Sequence, residues 1–349
     1  MQCIFCLNER PGSKEHVFPL AIGGCLTTDR VCEPCNSLLG SRVDAALTDN
    51  FLVRSRRALI GLAGNQGTAP PIYEELLGVG ELAGHPGSRV HVTYNKATKK
   101  MDVRALPYVS VSEAQEGAMS CQIILDERDL DKLPKIIQRE RKKHGFPPLS
   151  GDDLAREIKR FASSRMLINN PQVLLEKRYN FHYVQHAMVK IAYELAFLWL
   201  GETYLDDPSA VELRAAICTP DPNSTDTLPA AVIDAAECKV FWLWQPDKKH
   251  HIAYAFANDD GIAIAVRVFD IHAAIVWVTK RAALYLSGND ANARLRFLAI
   301  DPERRKMRDV PMMTEMHRIA AAMVRQGHAA NGQADLRSGG SFPTRSLAS

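Results

Sequence analysis

The sequence predicts an α+β fold, with a small cysteine-bearing unit at the N-terminus and a larger region built on an antiparallel sheet. Three observations carry this. Two Cys-x-x-Cys pairs, Cys3/Cys6 and Cys32/Cys35, bracket a turn-rich insert near the start of the chain. Apolar residues recur at helical spacing in several segments, most strongly across 182–200, where Val184, Met188, Ile191, Leu195 and Leu198 share a broad face. From residue 238 the period shortens to two. CKVFWLW, HIAYAFA, GIAIAVRVF and AAIVWVT then read as four strands separated by turn residues, most simply a meander.

The elements follow in order. Leu39, Val43 and Leu47 lie at i, i+4 and i+8, which predicts a helix over 36–47, and FLVRSRRALIGLA (51–63) predicts a second. GNQGTAPP (64–71) breaks the pattern and reads as a linker. RVHVTY (89–94) and MDVRAL (101–106) alternate as strands around NKATKK, and SCQIILD (120–126) reads as a third strand. ERDLDKLPKIIQRERKKHG reads as a helix with Pro134 near its start or at a kink, and Ser150 with Asp153 opens another. A last helix is expected over PMMTEMHRIAAAMVRQ. The predicted division is 1–63, 72–326 for the larger α+β domain, and a disordered tail at 327–349 rich in Gly, Ser and Ala.

With 349 residues, 46% apolar and 24% charged, the chain has the composition of a globular protein with room for a sizeable core. A net charge of +3 does not announce a nucleic-acid binder, so any such role rests on local patches. The most apolar segment, 187–200, contains Lys190 and Glu194 and is too short and too charged to span a bilayer. A soluble, cytoplasmic protein without a secretory leader or membrane partner is expected. In that reducing compartment, paired CxxC units point to metal rather than disulfides.

Tetrahedral zinc takes four thiolates brought together by short turns, which Cys3, Cys6, Cys32 and Cys35 supply. A single redox dithiol is the alternative, but the thioredoxin-like βαβ pattern it needs is absent. A zinc held by four cysteines is closed and cannot activate water. The insert nevertheless holds Glu15-His16, and Asn36 follows the last cysteine. A carboxylate, an imidazole and an amide oxygen suit a second, harder cation, Mg²⁺ or Mn²⁺.

The pattern CxxC, EHVxP, GG and CxxCN followed by Gly40 resembles the HNH nucleases, the ββα-metal superfamily, and within it the branch stabilised by a four-cysteine zinc. The resemblance spans about residues 3–47. It implies a β-hairpin carrying the acidic-His dipeptide and a helix carrying the last motif residue. It implies His16 as general base, and Glu15 and Asn36 as ligands of a catalytic divalent metal. DNA phosphodiester hydrolysis is the implied reaction, with restriction or anti-phage defence as a family-level expectation. One departure stands out. The family's central Asn, which orients the histidine loop, is missing from CLTTDR, where Thr27 or Thr28 is the available substitute. Asp44, two turns after Asn36, either faces the site or is solvated.

Arg54, Arg56 and Arg57 follow the motif closely and are candidate phosphate contacts, with a solvated helix face as the alternative. The basic runs at 135–145 and 303–308 are a second and a third candidate for phosphate contact, with a solvent-facing run the favoured reading of both. His182 and His186, at i and i+4, lack the acidic partner of a metal-binding HExxH and read as structural. The rival reading of the whole is a non-catalytic zinc module that binds nucleic acid or a protein. Homo-oligomerisation, and a ligand or protein trigger acting through the larger region, stay open.

Overall fold

The computed structural model describes residues 1–64, 67–113, 119–163, 168–176, 181–218, 230–234, 239–244, 249–287 and 291–338. The fold is α+β, and the chain forms two compact units: residues 1–70 with 179–349, and residues 71–178. This division does not coincide with the expected 1–63 and 72–326. The region after residue 178 belongs with the N-terminal cysteine-bearing segment, because the two share one core.

The first unit opens with an antiparallel hairpin, β1 (Gly12–His16) and β2 (Thr27–Cys32). Glu15 stands opposite Thr28 and His16 opposite Thr27, and the register shifts between Ser13 and Glu15. Such a bulge re-aims the side chains beside it. Glu15 turns inward at 3% exposure, while His16 stays half-buried. The helix α1 (Glu33–Leu39) follows directly from the second cysteine pair, with Pro34 in its first turn, where a missing N–H is harmless. It runs on through a π-helical turn, Gly40–Asp44, into α2 (Ala45–Thr48). Leu39, Val43 and Leu47 are at most 2% exposed, so the expected face exists. The helix α3 (Phe51–Leu59) is capped by the Asn50 side chain, which accepts from the Leu52 N–H.

The second unit holds β3 (Gly78–Leu82), β4 (Arg89–Asn95), β5 (Lys100–Ala105), β6 (Tyr108–Glu113), β7 (Met119–Ile124), α4 (Leu133–Lys143), α5 (Gly151–Ser163) and β8 (Val173–Leu174). Its sheet runs β5-β4-β3-β8, and β6 and β7 form a separate ribbon. Pro134 lies in the first turn of α4.

The chain returns to the first unit with α6 (Phe181–Leu200) and α7 (Pro208–Cys218). Then come β9 (Ala230–Asp234), β10 (His251–Asn258), β11 (Gly261–Val268), β12 (His272–Thr279), α8 (Ala282–Leu286), α9 (Ala291–Arg294), β13 (Arg296–Asp301), β14 (Lys306–Pro311) and α10 (Met312–Ser338). The six-stranded antiparallel sheet runs β14-β13-β10-β11-β12-β9. Both faces are covered. Ala253, Ile264 and Val276 belong to a large core shared with α6 and the N-terminal hairpin, and Ile252, Tyr254 and Ala265 belong to a smaller core with Phe241, Trp244 and Ile319. That is why every residue of β11 is buried. The helix α6 is apolar almost all round because it is enclosed, not because it crosses a bilayer. Among the described residues no helix is long and apolar enough to span a membrane.

Three of the four expected strands in the C-terminal run are β10, β11 and β12. The first is not: Lys239–Trp244 forms a 3-10 turn. Phe241 and Trp244, three apart, are buried, whereas Trp242 is 61% exposed. That is helical rather than strand spacing. Helix α10 continues through Ser338, beyond the residue where the disordered tail was expected to begin, and residues 339–349 lie outside the described residues.

Candidate metal and catalytic site

The two knuckles bring the Sγ atoms of Cys3, Cys6, Cys32 and Cys35 within 4.8 Å of one another. A tetrahedron of sulfurs about 2.3 Å from a central zinc has edges of about 3.8 Å. The Cys6–Cys32 separation of 3.7 Å fits that edge. The Cys32 N–H donates to Cys3 Sγ at 3.4 Å. Burial pushes the Cys32 and Cys35 thiols up, whereas at Cys3 backbone donors from Cys32, Cys6 and Phe5 outweigh burial and bring the thiol down to about 7; the thiolates a metal takes form as it binds. The tetrad fits a structural zinc.

The clamp fixes the start of α1 against β1. Asn36 donates through Nδ2 to Ser13 Oγ at 3.0 Å and to the Lys14 carbonyl at 3.1 Å, so the amide sits on the strand that carries Glu15 and His16. Those donations use the nitrogen side and leave Oδ1 to face another partner. His16 is pushed below its ordinary value by burial and by the positive charges of Lys14, Lys190 and Arg305, against the pull of Glu15. Its imidazole is therefore neutral at pH 7 and able to accept a proton.

Glu15 does not face solvent. Its Oε1 is ion-paired with Nζ of Lys190, which comes from the middle of α6. The same ammonium donates to the His16 carbonyl at 3.0 Å and lies 3.4 Å from Asp44 and 3.3 Å from Glu194. Lys190 and Glu194 are fully buried. Burial alone would strip the proton from Lys190, but Asp44, Glu194 and Glu15 together hold it on. Burial pushes Asp44 up to about 6 despite Lys190, and drives Glu194 well above the carboxylate range. Asp44 is thus neither solvated nor a surface residue. The π-helical turn that ends at Asp44 draws it into this cluster.

The arginines after the motif are engaged by the protein itself. Arg57 is buried and donates to the Thr48 carbonyl at 3.4 Å, and Arg56 is ion-paired with Asp270. Arg54 is half-buried on the same helix. Lys14 and Arg305 are the exposed cations whose charge reaches His16. Arg305 lies in the turn between β13 and β14 and donates to the Ala63 carbonyl at 3.4 Å. That turn seats on the Gly-Gly after the motif. Gly23 has φ +86°, and a Cβ there would lie 2.5 Å from Pro302. His182 and His186 pack ring to ring at 4.5 Å, with His186 Nδ1 on the His182 carbonyl, and form no candidate metal group among the described residues.

Sequence reasoning missed Lys190 and Glu194, and weighed Arg305 only as part of the 303–308 run. A signal for the first two existed: opposite charges at i and i+4 inside an otherwise apolar helix. Arg305 lay in a basic run with no local mark to separate it from a solvated turn.

Residues 3–52 match the family model for HNH endonuclease. No curated protein and no solved structure matches the chain.

Proposed function

We propose that the protein is a metal-dependent endonuclease that hydrolyses DNA phosphodiester bonds, with His16 as general base. The observation that carries this reading is a half-buried imidazole on the strand that Asn36 clasps, beside Glu15 and next to two exposed cations. The donor atoms suit a hard cation. Lys190 occupies Oε1 of Glu15 and leaves Oε2, while Asn36 keeps Oδ1. Two oxygen donors, one of them charged, are what Mg²⁺ or Mn²⁺ takes when water and substrate phosphate complete its shell. Such an ion, held by Glu15 and Asn36, would neutralise charge on the scissile phosphate and the departing oxygen.

His16 takes a proton from a water molecule as the water oxygen attacks phosphorus. The bond from phosphorus to the 3′ oxygen breaks, leaving a 5′-phosphate and, after protonation, a 3′-hydroxyl. Lys14 and Arg305 meet the phosphate oxygens and contact backbone rather than base edges. The proposal moves the phosphate contacts to this pair from Arg56 and Arg57, whose guanidinium groups are spent inside the fold.

The test is nicking of supercoiled plasmid with Mg²⁺ or Mn²⁺ by the zinc-loaded full chain. His16→Ala is expected to lower the rate about 10²–10⁴-fold, the span of a general base, with DNA binding retained. A second reading, a zinc module that grips DNA or a protein without cutting, draws on the burial of Glu15 against Lys190. Equal nicking by wild type and His16→Ala, or none by either, favours that second reading.

A further inference from the structure

We propose that Lys190 is a positioning residue of the nuclease site, holding the Glu15–His16 dipeptide from the far side of the core. The inference rests on the nuclease reading above and adds a residue that lies outside the motif and outside the matched segment 3–52.

The geometry is specific. The Lys190 ammonium has three N–H groups and faces four oxygen acceptors drawn from three elements. On β1 it takes Glu15 Oε1 and the His16 carbonyl, the side chain of one motif residue and the backbone of the next. From the π-helical turn it meets Asp44, and from its own helix Glu194. The link to the His16 carbonyl crosses 174 positions of sequence at 3.0 Å.

The side chains of the facing strand give His16 no such hold. Thr28 Oγ1 accepts the Arg30 N–H at 3.2 Å, closing its own turn. Thr27 faces His16 across the hairpin, and among the described residues neither threonine makes a side-chain hydrogen bond to His16. The backbone at His16 is held by Lys190 instead. With Oε1 on Lys190, the carboxylate of Glu15 has its rotation fixed, and Oε2 is presented in one direction.

Stability gives no comparable reason for the arrangement. A lysine at 0% exposure among three carboxylates costs desolvation that an apolar side chain would avoid, and apolar replacements of buried ion pairs are often neutral or stabilising. What an apolar residue could not supply is a donor to a carboxylate and a carbonyl at once. Groups that orient a metal-ligating carboxylate typically change metal affinity or activity about 10–100-fold when removed.

The test compares wild type, Lys190→Met and the charge-compensated Lys190→Met/Asp44→Asn, as full-length zinc-loaded protein. Zinc content, thermal midpoint and DNA affinity are measured beside single-turnover nicking across a Mn²⁺ titration. The expected result is a variant that keeps its zinc and binds DNA within about twofold of wild type, but nicks about 10–100-fold more slowly or needs about that much more Mn²⁺ for half-saturation. Where Lys190→Met does not fold, the double variant carries the comparison, since it removes one buried negative charge together with the positive one. A folded, zinc-bound variant with the wild-type rate and metal dependence overturns the positioning role while leaving the nuclease reading intact. Absence of nicking by wild type itself overturns the nuclease reading, and the positioning role falls with it.

Discussion

Lowering the pH toward 4 should unlock the N-terminal hairpin from the sheet through one side chain, His251. The ring is completely buried at the start of β10. Its Nε2 donates to the Ile22 carbonyl at 2.8 Å, and its Nδ1 accepts the Phe269 N–H at 3.1 Å. It also stacks on Phe18, with centroids 5.5 Å apart. One nitrogen donates and one accepts, so only the neutral ring satisfies both partners, and a second proton would set one N–H against another. Burial is the larger cause, and the pKa falls from 6.5 to about 4. Because the folded value lies below the unfolded one, the unfolded chain binds the extra proton across that window. The stabilisation is complete above about pH 6.5 and is lost as pH falls toward 4, amounting to about 3 kcal/mol in full. All four tryptophans (199, 242, 244 and 277) lie in the unit that holds this histidine, so urea unfolding followed by tryptophan fluorescence reports on that unit. The comparison is wild type against His251→Gln at pH 7.5 and 4.5. Loss of zinc in acid is common to both proteins and cancels in the difference. Wild type should lose most of that 3 kcal/mol relative to the variant; parallel losses would refute the reasoning.

The remaining outcomes follow from the same coordinates. Cys32→Ser should abolish stoichiometric zinc by metal analysis and cost several of the roughly 10–16 kcal/mol that a structural zinc supplies, and nicking by a zinc-free variant would contradict the clamp. Gly23→Ala forces a Cβ to 2.5 Å from Pro302 at φ +86° and should cost about 1–3 kcal/mol by the same urea assay. Arg305→Ala should weaken DNA binding and reduce the slope of log affinity against log salt by about one phosphate contact. Arg57→Ala, buried and bonded within the fold, should instead lower stability and leave that slope unchanged.

What could be read in the sequence was local. The zinc ligands were legible because each knuckle closes within four residues. The face of Leu39, Val43 and Leu47 was legible because its period is a property of one helix, and β10, β11 and β12 stood out by their apolar runs. CKVFWLW misled because aromatics spaced at two and at three overlap in so short a stretch. Only packing against Tyr254 and Glu315 chooses the 3-10 turn, with Trp244 Nε1 3.0 Å from Glu315. The strands β13 and β14 escaped notice because charged residues interrupt their alternation. Charge at Arg54–Arg57 is visible in the sequence, but Asp270, the partner that occupies Arg56, lies 214 positions away. The pair Lys190 and Glu194 was visible as an anomaly in an apolar helix, yet nothing local says that Glu15 and Asp44 would complete it.

These long-range links tie the motif at residues 3–52 to the rest of the first compact unit. A zinc and a hairpin enclose too little apolar surface to fix a carboxylate in one orientation. Here the enclosure comes from elsewhere. Tyr193 donates to the Ile4 carbonyl between the first two cysteines at 2.5 Å, His251 donates to Ile22, and Pro302 fits against Gly23. Arg30 at the end of the hairpin is ion-paired with Glu202, just past α6. Each contact falls on a different edge of the motif, and each comes from residues after 178. Stripped of them, Glu15 and Asp44 would take up water in place of Lys190, and the apolar side of the hairpin would be exposed. The geometry of the candidate site is therefore a property of the first compact unit as a whole. Substitutions in α6 or the sheet should reach the Glu15–His16 dipeptide through packing, without touching a motif residue.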